Sequence, residues 1–220
     1  MNRFIKSIAF GIGITLNSVT TLNASSGHDV YEISVTNLTK SQIMSPMVVS
    51  THKRPYSLFT LGSEASPELA ALAQDADNAG LISLLENAPD NREVVISDGP
   101  ILPGKTIVIE VSTHRARYLT AAAMLVSSND AFVALNGIRL NKRTLNLRAV
   151  AYDAGAENND ESCAYIPGPP CGNPGMASDV AGEGYVYVHP GIQGVGDLNS
   201  DFDWRNPVAS FTIKRVRKND

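Results

Sequence analysis

The stretch AYDAGAENNDESC, Ala151 to Cys163, holds four carboxylates, Asp153, Glu157, Asp160 and Glu161, together with the amides of Asn158 and Asn159, and no Lys or Arg. Carboxylates this dense repel one another unless they are solvated, protonated or neutralised by a cation. A hard cation such as calcium takes roughly six to eight oxygen ligands of this kind, so the stretch invites an ion. Composition by itself favours the plainer reading, a solvated, turn-forming polar loop. The spacing is not that of an EF-hand, because the sixth position counted from Asp153 is Asn158 where that loop demands glycine, and no helices flank it.

A second oxygen-rich turn lies in MLVSSNDAFVALNG, where Asn129 and Asp130 stand between an apolar run and an expected strand. Taken alone, Ser128-Asn129-Asp130 is ordinary turn chemistry. Both turns follow apolar strands, however, and two loops opening at one end of a β-sandwich can share one ion. A third segment, GIQGVGDLNSDFDWRNPVASFTI, places Asp197, Asp201 and Asp203 beside the only tryptophan, Trp204. It could add another ion-binding loop, but the preferred reading is structural, with Trp204 anchoring a turn against the core.

Catalytic signatures are thin. There is no Gly-x-Ser-x-Gly elbow, no HExxH helix and no phosphate-cradling glycine loop. His28, His52, His114 and His189 are scattered without metal-pair spacing. His189, in YVYVHPG, could serve as a base with Glu183, yet a satisfied strand-end histidine is the preferred reading. No residue is selected as a nucleophile, so no catalytic residue is assigned and the chain is not expected to be an enzyme.

The positioning elements begin after an exported leader. Arg3 and Lys6 precede an apolar run from Ile8 to Leu16, too short to span a bilayer, followed by small and polar residues. This is the layout of a signal peptide, residues 1–24, cleaved after Ala24; a buried N-terminal helix is the alternative, disfavoured by the lack of caps. Residues 25–220 are then one domain, with no linker or repeat to divide them. No later segment is apolar enough for a membrane span. The whole chain carries a formal charge of −4, and loss of the leader makes it more acidic. An acidic product has no basic stripe for nucleic acid. Its nearest approach, KRVRK at Lys214 to Lys218, is expected to solvate the end of the last strand. Cys163 and Cys171 bracket CAYIPGPPC and in an oxidising compartment are expected to form a disulfide, since their spacing matches no zinc pattern.

Alternation predicts strands at Tyr31 to Asn37, Thr106 to Val111 and Gly184 to Val188, with others at Met47 to Ser50, Tyr118 to Val126, Ala131 to Leu135, Leu147 to Tyr152 and Val208 to Val216. SPELAALAQDADNAGLISLLENAP breaks this pattern. Ser66 can cap a helix, Pro67 fits its first position, and Leu69, Leu72 and Ala73 recur at helical spacing until Gly80 interrupts before Leu81 to Leu85. One or two short helices are expected there, plugging an end of an otherwise all-β antiparallel sandwich.

With both acidic turns in view, the chain resembles the spondin N-terminal, or F-spondin, domain family in a bacterial secreted form. SSNDAFVALNG is similar to that family's Pro-Ser-x-Asp-Trp-Phe-Val-Gly turn, and YDAGAENNDE to its Asp-Ala-Gly-Thr-Asp-type loop; YEISVTNLT, SPMVVSTH and NPVASFTIKRV share its character. The likeness spans roughly residues 29–216. It implies a C2-like antiparallel β-sandwich with calcium at one end of the sheets. Position by position, it implies Asp130 and Asp153 as the leading ligands and Glu157 in the place of the second acid, with Asn129, Asp160 and Glu161 in reserve. Gly155 is expected to provide the bend. The chain departs from the pattern at Ala131, where the family has tryptophan, at Ala156, where it has threonine, and in the inserted CAYIPGPPC.

The function so implied is a secreted or periplasmic calcium-binding adhesion or interaction module, with an extracellular protein or glycan as partner and magnesium as the alternative ion. Two other classes compete: a metal-assisted hydrolase using the same carboxylates, and a calcium-dependent lipid-binding module of the C2-like kind, for which Tyr165 and Ile166 are the candidate apolar loop tips.

Overall fold

The computed structural model describes residues 28–112, 115–172, 178 and 180–218. The expected signal peptide lies outside the described residues. Among the described residues, ten strands form two antiparallel sheets. The first sheet contains β1 (His28–Asn37), β4 (Thr106–Ser112), β7 (Leu145–Ala149) and β10 (Ala209–Lys218), in the order β4-β1-β10-β7. The second contains β2 (Val48–His52), β3 (Asn91–Ile96), β5 (Tyr118–Met124), β6 (Ala131–Arg139), β8 (Ala151–Asp153) and β9 (Tyr187–Val188), in the order β3-β2-β5-β6-β8-β9. The expected all-β sandwich is therefore the fold.

The four-stranded sheet has one wet face. On β1, Tyr31, Ile33 and Val35 are buried while Glu32, Ser34 and Thr36 are less so; on β10, Ala209, Phe211 and Ile213 point the same way. Period-two alternation is the signature of a strand with one face on the core and one toward water, and here it was legible. The six-stranded sheet differs because both its faces are covered. From β6, Ala131, Val133 and Leu135 join the inter-sheet core, while Phe132 and Ala134 join a second core on the opposite face. Small side chains on β5, Ala121, Ala122 and Ala123, let both layers approach it.

The second core is closed by α1 (Pro67–Asp75) and α2 (Asn78–Glu86), through Leu69, Leu72 and Ala73 from α1 and Leu81 and Leu85 from α2. The helices thus form a third layer on the outer face of the six-stranded sheet, not a plug at the end of the sandwich. Ser66 caps α1 as expected, accepting a hydrogen bond from the Leu69 N–H. The break between the helices comes earlier than Gly80: Ala76 takes a left-handed conformation, Asp77 caps α2 by accepting from Ala79 N–H, and Gly80 lies inside α2.

Two further strand expectations need correction, and one strand was not expected at all. The run Leu147 to Tyr152 is not one strand but the joint between sheets, with β7 paired to β10 and β8 to β6; Ala151 N–H turns to the Asn206 side chain at 2.8 Å. Only Tyr187–Val188 of the Gly184 to Val188 run pairs as a strand, because Gly184 has φ +78° and Val186 N–H donates to the Ser63 carbonyl. β3 was missed: as a half-buried edge strand it shows no clean alternation.

Leu72 is fully buried between α1 and the sheet. Leu72→Ala is expected to cost about 2–5 kcal/mol in urea unfolding, as for other large-to-small core changes. A cost within about 0.5 kcal/mol, typical of surface positions, would mean that the helical layer is peripheral.

Candidate functional site

Antiparallel register brings the two acidic turns together. Ala131, the first residue of β6, stands opposite Asp153, the last of β8, and Asp153 in turn faces Tyr187 on β9. Asp130 therefore sits one residue beyond the pair, at the same end of the sheet as the loop after β8. Ser128 shapes the β5–β6 turn: its hydroxyl donates to the Leu125 carbonyl at 2.6 Å and accepts from Ala131 N–H at 3.1 Å. Backbone then ties the turns, with Ala154 N–H donating to the Asp130 carbonyl.

The side chains complete the joint. Asp130 Oδ2 accepts from Ala156 N–H at 2.7 Å and Glu157 N–H at 3.0 Å, whereas its Oδ1 is buried with no hydrogen-bond partner among the described residues. Glu157 Oε1 accepts from Gln74 Nε2 at 3.2 Å and Ser178 N–H at 3.0 Å, and its Oε2 is likewise buried and unpartnered. Asp153 is fully engaged: Oδ1 accepts from Gly155 N–H and Oδ2 from Asn159 Nδ2 at 2.6 Å. Gly155 does supply the bend, with φ +66°, and a Cβ there would collide with the Tyr185 backbone.

Electrostatics follow from burial. The Asp130 carboxyl is pushed well above the ordinary range, first by burial and then by the negative charge of Asp153, against which the two backbone N–H groups pull only partly. Burial also raises Asp153 and Glu157. A buried carboxylate oxygen without a partner is costly, on the order of 1–3 kcal/mol or more, so Asp130 Oδ1 and Glu157 Oε2 call for a proton or a cation. Among the described residues, no three His, Cys, Asp or Glu side chains converge as a ready metal cage. An ion here would complete its shell with amide, carbonyl or water oxygens, which calcium accepts.

The remaining expected ligands divide. Asn129 is buried and bridges inward, donating to Asp160 Oδ1 at 3.1 Å and accepting from Glu161 N–H at 3.2 Å. Asp160 Oδ1 also accepts from Ser162 N–H. Glu161 is a clasp for another segment, its two oxygens accepting from Gln193 N–H and Val195 N–H. Asp160 thus serves its own loop's backbone and Glu161 that of the segment around Gln193 and Val195.

The third acidic segment is structural. Asp197 accepts from Cys163 N–H, Asp201 pairs with Lys40, and Asp203 accepts from Ile192 N–H and pairs with Arg205. Trp204 is buried in the core as expected, although its indole N–H has no partner among the described residues. Cys163 and Cys171 form the expected disulfide. Ile166 is buried and Tyr165 half-buried, so the stapled loop packs inward. No family model matches the chain, and no curated protein matches its sequence.

Sequence reasoning missed Gln74, Asn159 and Tyr187 as members of the cluster. Gln74 comes from α1, far along the chain, and carries no local signal. Asn159 is the hub, donating to Asp153 and accepting from His189 Nε2 at 3.2 Å. His189 is therefore satisfied, as a strand-end histidine, by Asn159, with Asp153 Oδ2 beyond hydrogen-bond reach at 3.6 Å. Its Nδ1 accepts from Gly191 N–H, which puts the single proton on Nε2. Its ring lies tilted against Trp204, with centroids 4.9 Å apart, and burial pushes its pKa down to about 4.

These shifts have opposite signs. The Asp130 pKa is raised in the folded state, so its contribution to stability is present in acid and is lost as pH rises through the folded value. In EDTA at pH 7, Asp130→Asn is therefore expected to raise the melting temperature, with the gain shrinking toward pH 4; an equal or lower melting temperature at pH 7 would contradict the charge assignment. The His189 pKa is lowered, so stability falls as pH drops from its ordinary 6.5 toward about 4. His189→Gln is expected to flatten that part of the stability–pH curve.

Proposed function

We propose that this chain is an exported calcium-binding interaction module of the spondin-domain type. The observation that carries the reading is the pair of buried, unpartnered carboxylate oxygens, Asp130 Oδ1 and Glu157 Oε2, which come from two different loops held together by Asp130 Oδ2. A cation between those loops removes the cost of leaving them bare and offsets the repulsion among Asp130, Asp153 and Glu157. Asp153 and Asn129 stand next in line as ligands, and magnesium is the alternative ion.

The ion's role in this reading is to rigidify a surface. Val180, Tyr185, Val188 and Val195, on segments that follow the acidic loop in the chain, are exposed and offer apolar contact area for an extracellular protein or glycan. An oxidising compartment is supported by the disulfide, and no helix among the described residues is long and apolar enough to cross a membrane. A binding role is favoured over hydrolysis because the one histidine at the cluster, His189, is buried and spends both ring nitrogens on hydrogen bonds. It is favoured over lipid insertion because Ile166 packs in the core.

Calcium that binds only the folded form is expected to stabilise it by about 2.7 kcal/mol at a hundredfold excess over Kd. Thermal melts in EDTA, calcium and magnesium should show this rise for the natural sequence and for Asp201→Asn, and lose most of it in Asp130→Asn and Glu157→Gln. A natural protein that melts identically in EDTA and millimolar calcium would assign the orphaned oxygens to protonation and sink the proposal.

A further inference from the structure

The opposite end of the sandwich carries the opposite charge. A cleft of about 580 Å³ there is lined by Lys53, Arg115, Arg117, Arg139, Lys142 and Arg215, with Tyr31, Ala116, Leu140 and Asn141 between them. No Asp or Glu is among these lining residues. The chain as a whole has 22 acidic and 18 basic residues, so a third of its cations surround one cleft in an acidic protein.

Strand register accounts for the clustering. His52, Tyr118 and Arg139 lie in one line across β2, β5 and β6, which puts Lys53 and Arg117, the next residues outward, beside Arg139 at three adjacent strand ends. In the facing sheet, Arg215 on β10 stands opposite Tyr31 on β1. The platform is fixed by backbone bonds, Arg117 N–H to the His52 carbonyl at 2.8 Å and Leu140 N–H to the Arg117 carbonyl at 2.7 Å. Arg115 holds a left-handed conformation, φ +65°, which a non-glycine residue adopts at some cost. Lys53, Arg115, Arg117, Arg139 and Lys142 have no carboxylate partner among the described residues. Five like charges gathered on a rigid frame without carboxylate partners among the described residues cost stability, and a multiply charged anion relieves that cost.

We propose that this cleft binds a phosphorylated saccharide bearing at least two phosphate groups. The volume lies in the range of small-molecule sites, roughly 300–1,000 Å³. Four of the six cations are arginines, whose planar forks grip phosphate through paired hydrogen bonds. A nucleotide fits less well, because the one lining aromatic, Tyr31, is 5 % exposed and offers no face for a base to stack on. Asn141, whose Oδ1 accepts from Arg143 N–H, offers its Nδ2 to sugar hydroxyls. The site is independent of the cation reading, since none of its residues belongs to the acidic loops.

The test is calorimetric titration of the full chain with fructose 1,6-bisphosphate in EDTA, which removes any contribution from the other end. The expected result is binding at least tenfold tighter than inorganic phosphate, none with fructose, and a several-fold loss when salt is raised. Arg117→Ala with Arg139→Ala should weaken it tenfold or more at an unchanged melting temperature. If that pair lowers the melting temperature, Lys53→Gln with Lys142→Gln, both exposed, should weaken binding instead. Cosedimentation with phosphatidylcholine vesicles carrying phosphatidylinositol 4,5-bisphosphate then tells a lipid headgroup from a free sugar phosphate. No binding of the bisphosphate, an affinity no better than phosphate's, or indifference to both variant pairs would overturn the proposal.

Discussion

The acidic end of the molecule hangs on one carboxylate. Asp130 Oδ2 receives the N–H groups of Ala156 and Glu157, and so welds the short β5–β6 turn to the long connection that follows β8. That connection runs for more than thirty residues before β9, and few backbone groups of its described residues have sheet partners. Side-chain oxygens replace the missing ladder: Asp153 takes Gly155, Asn129 takes Glu161, Glu161 takes Gln193 and Val195, and Asp197 takes Cys163. Buried backbone groups must be paired, and here acids and amides pair them.

This accounts for most of the acidity that made AYDAGAENNDESC conspicuous. Five of the carboxylates in the region cap backbone N–H groups, a use in which negative charge strengthens the hydrogen bond. What is left over is small and specific: one oxygen on Asp130 and one on Glu157. A loop built only for its own backbone would not need to bury these two. The calcium reading concerns this remainder and not the acidic count.

Charge also separates along the sandwich. Strands alternate in direction, so loops that follow β5 and β8 open at one end while the ends of β2, β6 and β10 open at the other. The first end collects carboxylates and the second collects arginines and lysines, with the apolar core between them. KRVRK, read as a solvated strand end, contributes Arg215 to the second group, and only the fold places Arg115, Arg117, Arg139 and Lys53 beside it.

Strands of the four-stranded sheet were legible because water on one side forces polar residues into every second position of β1 and β10. The Ser66 cap, the stapled cysteines and the turn at Gly155 were legible for the same kind of reason, since each depends on neighbours in the chain. The helical layer's position was not, because a strand such as β6 with both faces buried shows a continuous apolar run and hides what covers it. Nor was the division of labour among the acids: Asp130, Asp153, Asp160, Glu157 and Glu161 are chemically alike, and which oxygen meets an N–H is decided by register between β6 and β8. The supply of charge, the strand periods and the local caps follow from the order of residues in the chain. Where that charge is buried follows only from the fold, because burial and pairing are set by contacts between residues distant in the chain.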